Sequence, residues 1–315
     1  MNRHRGAALL SAMLTVTLVA TLAAAALWQQ WRGVEVEAAE RRRAQLSWVL
    51  VGALDWARLI LREDARTGQV DHLSEPWALP LQEARLSSFL AADPNHTDDA
   101  LDAFLSGQIN DLQARLNVRN LVDGGKLSEP ALLAFGRLFR LLGLPESQLA
   151  TLAENLRAAS AGGSSGAAAP LSPQRVEQLG WLGLPPDTLR LLAPHITLLP
   201  IATPVNLNTA SAEVIYASVP AIELAQAHRV VNQRASAHFG NVIEALQAAS
   251  APVQTDITRF SIASRFFEVR GQLRLEQVTV QERSLLERQG LDVKVLWRER
   301  EAVSALTTGS SASLQ

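Results

Sequence analysis

The chain has 315 residues, a formal net charge of −2 and a sequence pI near 6.3. This balance argues against a nucleic-acid partner, because a protein that neutralises phosphates presents a basic face. No cysteine is present, so disulfides, thiolate metal sites and cysteine nucleophiles are excluded. The sequence has no Ser/His/Asp set, no phosphate-cradling glycine loop and no histidines at zinc-ligand spacing, and it therefore predicts no enzyme.

The amino-terminal segment is apolar enough to cross a membrane. No charged residue occurs between Arg5 and Arg32. The apolar stretch that ends at Trp28 makes a helix of roughly 33 Å, close to the thickness of bilayer hydrocarbon. Trp28 and Trp31 then fall at the level of the headgroups, where indole rings are favoured. We predict that residues 7–30 form the transmembrane half of a longer helix.

The residues before the apolar run resemble a type IV prepilin-like leader. A short basic segment, residues 1–6, ends in Gly6, and the apolar residues begin directly after it. In that class a membrane peptidase cuts after the glycine on the cytoplasmic side. The resemblance implies cleavage after Gly6, with Ala7 as a new and methylated amino terminus, although the first mature residue of the class is usually aromatic.

The fifth mature position carries a further resemblance. Most prepilin-like proteins have a glutamate there, and this chain has Ser11. A carboxylate inside a bilayer costs several kcal/mol unless it is paired, and its partner in pseudopili is thought to be the amino terminus of the neighbouring subunit. Lack of this glutamate is a mark of the type II secretion minor pseudopilin K family. The resemblance implies a tip subunit.

Two alternatives remain open at this end of the chain. The small residues Ala23–Ala26 are compatible with cleavage of an ordinary secretory signal, which would make the protein a periplasmic or bitopic adaptor. Arg41, Arg42 and Arg43 outnumber the leader arginines, and a bare positive-inside count favours the opposite orientation. The leader motif favours a cytoplasmic amino terminus, since long following domains translocate largely regardless of flanking charge.

The helix is predicted to continue to about Glu63 and to stop near Gly68. A stripe of apolar residues at three- and four-residue steps predicts the face that packs on a core. Its members are Leu46, Val49, Ala53, Trp56 and Ile60. The alternative is a membrane span followed by a separate helix, with a break near Gly33.

An acidic cluster lies in the proline-punctuated loop that follows. It consists of Asp93, Asp98, Asp99 and Asp102, with Asn95 between them. Closely spaced oxygen ligands suit calcium, and a solvated loop or a helix cap explains the same residues without a metal. These four aspartates are the candidate metal ligands of the sequence.

The run from Phe104 to Val122 is the most specific internal signature. Its partial alternation around Gly107 predicts two short strands joined or bent at a turn. The run resembles the Gly-Gln-Ile … Asp-Leu-Gln-Gly-Arg-Phe-Asn-Leu-Asn-Asn-Leu pattern of the pseudopilin K family. Asn117 and Asn120 are predicted to satisfy backbone groups where the chain leaves the sheet.

A helical insert follows, and its second half has two interpretations. Calcium is known for the family, but residues 158–170 form a small-residue linker where the family carries acids, so calcium binding is doubtful here. Residues 206–211, Asn-Leu-Asn-Thr-Ala-Ser, occur in the family's SAM-like region and in helix-hairpin-helix DNA-binding modules. The turn Pro220–Glu223 lacks the glycines that let a backbone approach phosphate, so we favour the structural interpretation. His195, alone beside Pro194, is predicted to be a packing or capping residue.

The last part of the chain changes to a two-residue period. Three antiparallel strands are predicted between residues 256 and 300, with a shift of face at Phe266-Phe267. One face is predicted to be solvated, and its members are Arg265, Arg270, Arg274, Arg283 and Arg288.

The predicted fold class is α+β: a long amino-terminal transmembrane and amphipathic helix packed on an antiparallel, pilin-like sheet, with a large, mostly helical inserted domain. The predicted domains are residues 1–6 (leader), 7–30 (transmembrane half), 31–122 (pilin-like, first part), 123–203 (helical insert), 204–250 (SAM-like or helix-hairpin-helix-like region), 251–301 (strands completing the sheet) and 302–315 (disordered tail).

The resemblance implies a minor pseudopilin that caps the tip of the type II secretion pseudopilus and helps to initiate its assembly. Its implied partners are the I and J subunits, the major pseudopilin, the prepilin peptidase and the inner-membrane assembly platform. The implied location is the bacterial inner membrane, single-pass, with a periplasmic carboxyl-terminal domain. The alternative is a membrane-anchored helix-hairpin-helix DNA-binding or uptake protein, which predicts salt-dependent DNA affinity.

Overall fold

The computed structural model describes residues 3–86, 103–160, 171–275 and 278–304. A single continuous helix, α1 (Arg3–Thr67), opens the chain. It passes Gly33 without interruption, so the alternative of a break there is wrong. The helix ends where the Gly68 N–H donates to the Asp64 carbonyl at 3.0 Å. The chain divides into two compact units within this helix, Met1–Ala53 and Leu54–Gln315.

The remaining helices and strands all belong to the second unit. The helices are α2 (Glu129–Leu141), α3 (Glu146–Ser160), α4 (Pro186–Leu192), α5 (Ala212–Ser218), α6 (Leu224–Ser236) and α7 (Val242–Ala248). The strands are β1 (Leu81–Arg85), β2 (Ala103–Asp111), β3 (Leu116–Asn117), β4 (Val122–Asp123), β5 (Lys126–Leu127), β6 (Ile196–Thr197), β7 (Val205–Asn206), β8 (Phe260–Ser261), β9 (Phe266–Leu275), β10 (Val278–Gln289) and β11 (Asp292–Ser304).

The main sheet has five strands in the order β1-β2-β9-β10-β11, and every neighbouring pair is antiparallel. The last turns of α1 pack on one face through Leu54, Ala57 and Leu61, which meet Phe267 and Val269 of β9 in one apolar cluster. Trp77 fills the same cluster, with its ring 5.3 Å from Phe267 in an edge-to-face arrangement. The predicted α+β, pilin-like fold is therefore confirmed.

The face of α1 that packs on the sheet is offset from the predicted stripe. Trp56 is half exposed and Ile60 is only partly buried, whereas Ala57 and Leu61 are buried. Trp56 and Ile60 have the right spacing, but so do Ala57 and Leu61 one position later. Spacing alone does not choose between two adjacent stripes on a helix that is apolar on several sides.

Two strand predictions are corrected by the register. β2 runs straight through Gly107, which lies opposite Gly271 of β9, so there is no turn at this glycine. A Cβ at Gly107 would lie 3.2 Å from the Arg270 carbonyl oxygen, which explains a glycine inside a strand.

Phe266 and Phe267 do not mark a shift of face. They point to opposite faces, and both are buried because each face is covered there.

The helical insert enters the fold between β2 and β9. Its buried side chains form one continuous apolar cluster that runs from Leu116 to Phe260 and includes residues of α2, α3, α5 and α6. The predicted segments 123–203 and 204–250 thus share a core. The predicted linker begins inside α3, which reaches Ser160, and its remainder lies outside the described residues, as does the tail beyond Ser304.

Candidate assembly helix and buried polar junction

The first half of α1 is the candidate assembly element. One helix of the described residues is long and apolar enough to cross a membrane, by length and composition. Trp28 and Trp31 are each 61% exposed, and the Arg32 guanidinium lies over the Trp28 ring at 5.3 Å. Gly6, Ala7 and Ser11 all lie on this helix. The Ser11 carbonyl accepts from the Thr15 hydroxyl at 3.1 Å.

The four candidate metal ligands of the sequence, Asp93, Asp98, Asp99 and Asp102, lie outside the described residues. Within the described ranges, one group of carboxylates is close enough to share an ion: Asp64, Asp71 and Glu75. The Arg288 guanidinium already lies against two of these carboxylates. Arg288 donates to Asp64 Oδ2 at 2.7 Å and to both Asp71 oxygens at 2.6 Å.

Arg288 was predicted to lie on the solvated face of the sheet, and this prediction is wrong. Its side chain is only 10% exposed. Along β10 it lies two residues from Leu286, so it shares the face that α1 covers. Its pairing with buried Asp71 ties this strand to the segment after α1.

A second carboxylate, Asp111 at the end of β2, joins the sheet to the insert. Its Oδ2 accepts from the Thr209 hydroxyl at 2.5 Å, from the Ser264 hydroxyl at 2.6 Å and from Asn206 Nδ2 at 3.1 Å. The Gln113 N–H donates to Oδ1 at 2.7 Å. All four donors come from outside β2, so one side chain links the sheet to the first turn of the insert, to β7 and to the segment before β9.

Burial raises the pKa of Asp111 to about 6, and the hydrogen bonds from Ser264, Thr209 and the Gln113 N–H oppose this shift. Burial also raises the pKa of Asp71, against the attraction of Arg288. Both carboxyls therefore hold a proton more readily in the folded protein than in the unfolded chain.

We expect Asp111 to contribute more stability as the pH falls from 7 to 5, whereas the lowered pKa values of His72 and His195 act in the opposite direction. Folded Asp111, with a pKa of about 6, takes up a proton in this range, whereas an unfolded aspartate with a pKa near 3.8 stays ionised. The contribution of Asp111 to the free energy of unfolding should rise by about 1 kcal/mol between pH 7 and pH 5, and this gain should be lost again as the pH rises through 6. Asp111→Asn should remove that rise, measured by urea unfolding of the full chain in detergent at both pH values.

The matched control for this measurement is Asp123→Asn, which changes an exposed aspartate. It should leave the pH dependence unchanged. An equal pH dependence in the parent protein and in Asp111→Asn would contradict the assignment of the titration to Asp111.

The Asn-Leu-Asn-Thr phrase faces the interior. Asn206 is fully buried, and Asn208 and Thr209 are nearly so. Asn208 bonds to both backbone groups of Phe239, accepting from its N–H at 2.9 Å and donating to its carbonyl at 3.0 Å. These polar groups are already hydrogen-bonded to the segments that join α6, α7 and the sheet. They are therefore not available to a phosphate.

The adjoining turn also fails as a phosphate site. Ala221 has φ +57°, so a side chain stands where helix-hairpin-helix modules place a glycine. Ile222 is buried, and Glu223 is the N-cap residue of α6, where its N–H donates to Gln226 Oε1 at 2.7 Å. The helix α5 is capped by Ser211, whose hydroxyl accepts from the Val214 N–H.

Histidines make packing contacts. The His72 and His238 rings are stacked with centroids 3.9 Å apart, which joins the segment after α1 to the loop before α7. Burial lowers the pKa of His72, and His238 beside it acts in the same direction. The pKa of His195 is also lowered by burial, and its carbonyl accepts from the Leu116 N–H at 2.9 Å.

Comparison with known proteins identifies the family. A family model described as "Type II secretion system (T2SS), protein K" matches residues 205–262, and a second model with the same description matches residues 114–201. Type II secretion system protein K of Pseudomonas aeruginosa is 26% identical over 86% of this chain and 85% of its own length. The homologous protein of Pectobacterium carotovorum subsp. carotovorum is 26% identical over 95% of this chain and 97% of its own length.

The chain belongs to the type II secretion system protein K family.

A solved protein K structure shares the fold. The GspK-GspI-GspJ complex from the type 2 secretion system of enterotoxigenic Escherichia coli contains a chain that matches with a TM-score of 0.63 at 18% identity, over 84% of this chain and 98% of that chain. The family models and the two relatives, together with this shared fold, show that the protein is a minor pseudopilin of type II secretion. The DNA-binding alternative is not favoured, in agreement with the buried Asn206 and Asn208.

Sequence reasoning placed Asn206, Asn208 and Thr209 in one motif but missed their partner. Asp111 was read only as part of the family pattern, and Asp71 and Ser264 were not singled out at all. These residues lie far apart in the chain, and a lone buried polar residue has no periodic signal. The signal that could have found two of them is their position beside a strand end, since Asp111 ends β2 and Ser264 lies shortly before β9.

Proposed function

We propose that this protein K is a structural subunit, without enzymatic activity, at the tip of the type II secretion pseudopilus. It is anchored in the bacterial inner membrane by α1, with its amino terminus in the cytoplasm and residues after the span in the periplasm. Cleavage after Gly6 leaves Ala7 as a methylated amino terminus. The I and J subunits, the major pseudopilin, the prepilin peptidase and the assembly platform are its partners.

The observation that carries the tip position is Ser11. In a helical stack, a glutamate at this place on the helix would need the amino terminus of the neighbouring subunit to offset its burial in lipid. Ser11 has no charge to offset, and its hydroxyl suits a helix in lipid, where serine bonds to its own backbone. A subunit with no neighbour ahead of it needs no carboxylate.

The size of the insert supports the same position. The segment between β2 and β9 adds a second apolar core to a pilin-like sheet. Subunits in the body of a fibre have neighbours above and below, and a head enlarged in this way would have to fit between them. At the tip, one side of the head is unconfined.

The tip position predicts that this protein is found only at fibre ends. Because the chain has no cysteine, a single one can be introduced at Leu59, which is 54% exposed on α1, and paired with a cysteine on the major pseudopilin. We expect cross-links to major subunits on one side of α1 only, and immunogold label on sheared pseudopili only at their ends.

A cysteine at buried Leu61 is the matched control and should give no cross-link. Recovery of this protein between two major subunits at many levels along the fibre would overturn the tip position. The family membership would survive that result.

A further inference from the structure

A polar cleft lies between the insert and the face of the sheet opposite α1. It is called here the outer cleft. Its larger cavity, of about 600 Å³, is lined by side chains of β2, β9 and β10 that include Ser106, Gln108, Gln272 and Gln281. An adjoining cavity of about 230 Å³ is lined by Arg115, Thr197, Glu268 and Trp297. Arg175, Glu177, Arg270 and Arg283 line both.

Three of the arginines in the outer cleft have carboxylate partners. Arg270 Nε bonds to Glu268 at 2.6 Å, Arg175 pairs with Glu299, and Arg283 reaches Glu177 at 2.8 Å and Glu299 at 3.2 Å. Arg175 and Arg283 also lie over the Trp297 ring, at 5.2 and 5.5 Å from its centroid. These three arginines and three glutamates balance each other, and the stacking fixes where they stand.

Arg115 is a fourth arginine of the outer cleft, and its positive charge is not balanced by these three glutamates. It follows the first turn of the insert, directly before β3. Among the described residues its guanidinium has no hydrogen-bond or ion-pair partner, although it lines the smaller cavity and is partly buried. Burial lowers its pKa, against the attraction of Glu268. A guanidinium has five donors arranged to grip a carboxylate in a bidentate manner, and here they face a cavity.

We propose that the outer cleft binds an extended peptide segment of a protein partner, with one carboxylate side chain of that segment seated against Arg115. The smaller cavity has room for one side chain. The larger cavity is within the size range of ligand sites, and its amide side chains and Ser106 can bond to a peptide backbone.

Charge complementarity selects the acidic side chain. A lysine or arginine in the smaller cavity would meet Arg115, and the carboxylates there already pair with Arg175, Arg270 and Arg283. A neutral side chain would leave the Arg115 donors without an acceptor in a partly desolvated place. The assignment does not depend on where the protein stands in the pseudopilus.

The test is peptide binding by the full chain in detergent micelles. The probes are two fluorescein-labelled ten-residue peptides of glycine, serine and threonine that differ only in a central Glu or Gln. By fluorescence anisotropy we expect the Glu peptide to bind at least tenfold more tightly than the Gln peptide. Arg115→Gln should abolish this difference, and Arg115→Lys, which keeps the charge but not the fork, should retain part of it.

Arg190→Gln is the matched control, because Arg190 is exposed on α4 and pairs with Asp187 there. It should leave both affinities unchanged, and equal melting temperatures of the variants would exclude unfolding as the cause of any loss. Equal affinity for the two peptides, no binding at millimolar concentration, or an unchanged preference in Arg115→Gln would overturn the proposal. Displacement of the Glu peptide by inorganic phosphate or glutarate, at a concentration equal to that at which the peptide itself binds, would show a simple anion site. That result would also overturn the proposal.

Discussion

Arg288→Met is expected to lower the free energy of unfolding by about 3–5 kcal/mol, because it leaves a buried carboxylate without its cation. Asp71 is only 2% exposed as a side chain and would keep one strong donor, the Ser264 N–H at 2.6 Å. The Ser264 carbonyl would lose the Arg288 donor at 2.9 Å as well. Urea unfolding of the full chain in detergent measures the loss, which is a large part of the stability of an ordinary domain.

Two further variants identify the cause. Adding Asp71→Asn to Arg288→Met should restore part of the stability, since removing both charges costs less than removing one. Arg190→Met breaks an exposed pair at 3.0 Å and should cost less than about 1 kcal/mol. A cost below 1 kcal/mol for Arg288→Met itself would show that the ion pair contributes little to stability.

Gly6→Leu is expected to abolish maturation and, with it, secretion. A prepilin-type peptidase must bring the backbone at the cleaved bond into its site, and a side chain on the residue before that bond obstructs the approach. The uncleaved protein should keep its leader, which intact-mass measurement of the membrane fraction detects. The parent protein should lack residues 1–6 and carry a methyl group on Ala7.

The matched control is Gly33→Leu, which changes a glycine of the same helix with no neighbouring atom within 4 Å. It should be processed normally, as should Ser11→Ala. A processed and secretion-competent Gly6→Leu variant would refute the leader assignment, whereas loss of processing in Gly33→Leu would point to a general defect of the helix.

The elements with strong periodic signals were predictable from the sequence. The long helix and the strands β9, β10 and β11 were predicted because apolar residues recur at three- and four-residue steps in the first and at two-residue steps in the others. The helix end near Gly68 was marked by the glycine. In each case the signal is local, since it depends on residues within one element.

Features set by distant residues could not be predicted. Gly107 signals a turn when read alone, and only its position opposite Gly271 reveals a close approach of two strands. Arg288 appeared solvated because charged residues usually are, and its partners Asp64 and Asp71 lie at the other end of the chain. Within the described part of the chain, the Arg115 donors are unpaired because the carboxylates around it pair with other arginines, and no sequence pattern records those pairings.

The connection between β2 and β9 has a consequence for the order of folding. β2 pairs with β9, yet the entire insert lies between them in sequence. During synthesis and export from the amino end, α1 and β2 emerge first. β2 cannot pair with β9 until the whole insert has followed. The contacts of the insert are shorter in range, so it can collapse before the sheet exists, whereas sheet closure carries the entropy of a long loop. Until then the edge of β2 that pairs with β9 stays uncovered, and this interval is when the chain is most exposed to aggregation or proteolysis.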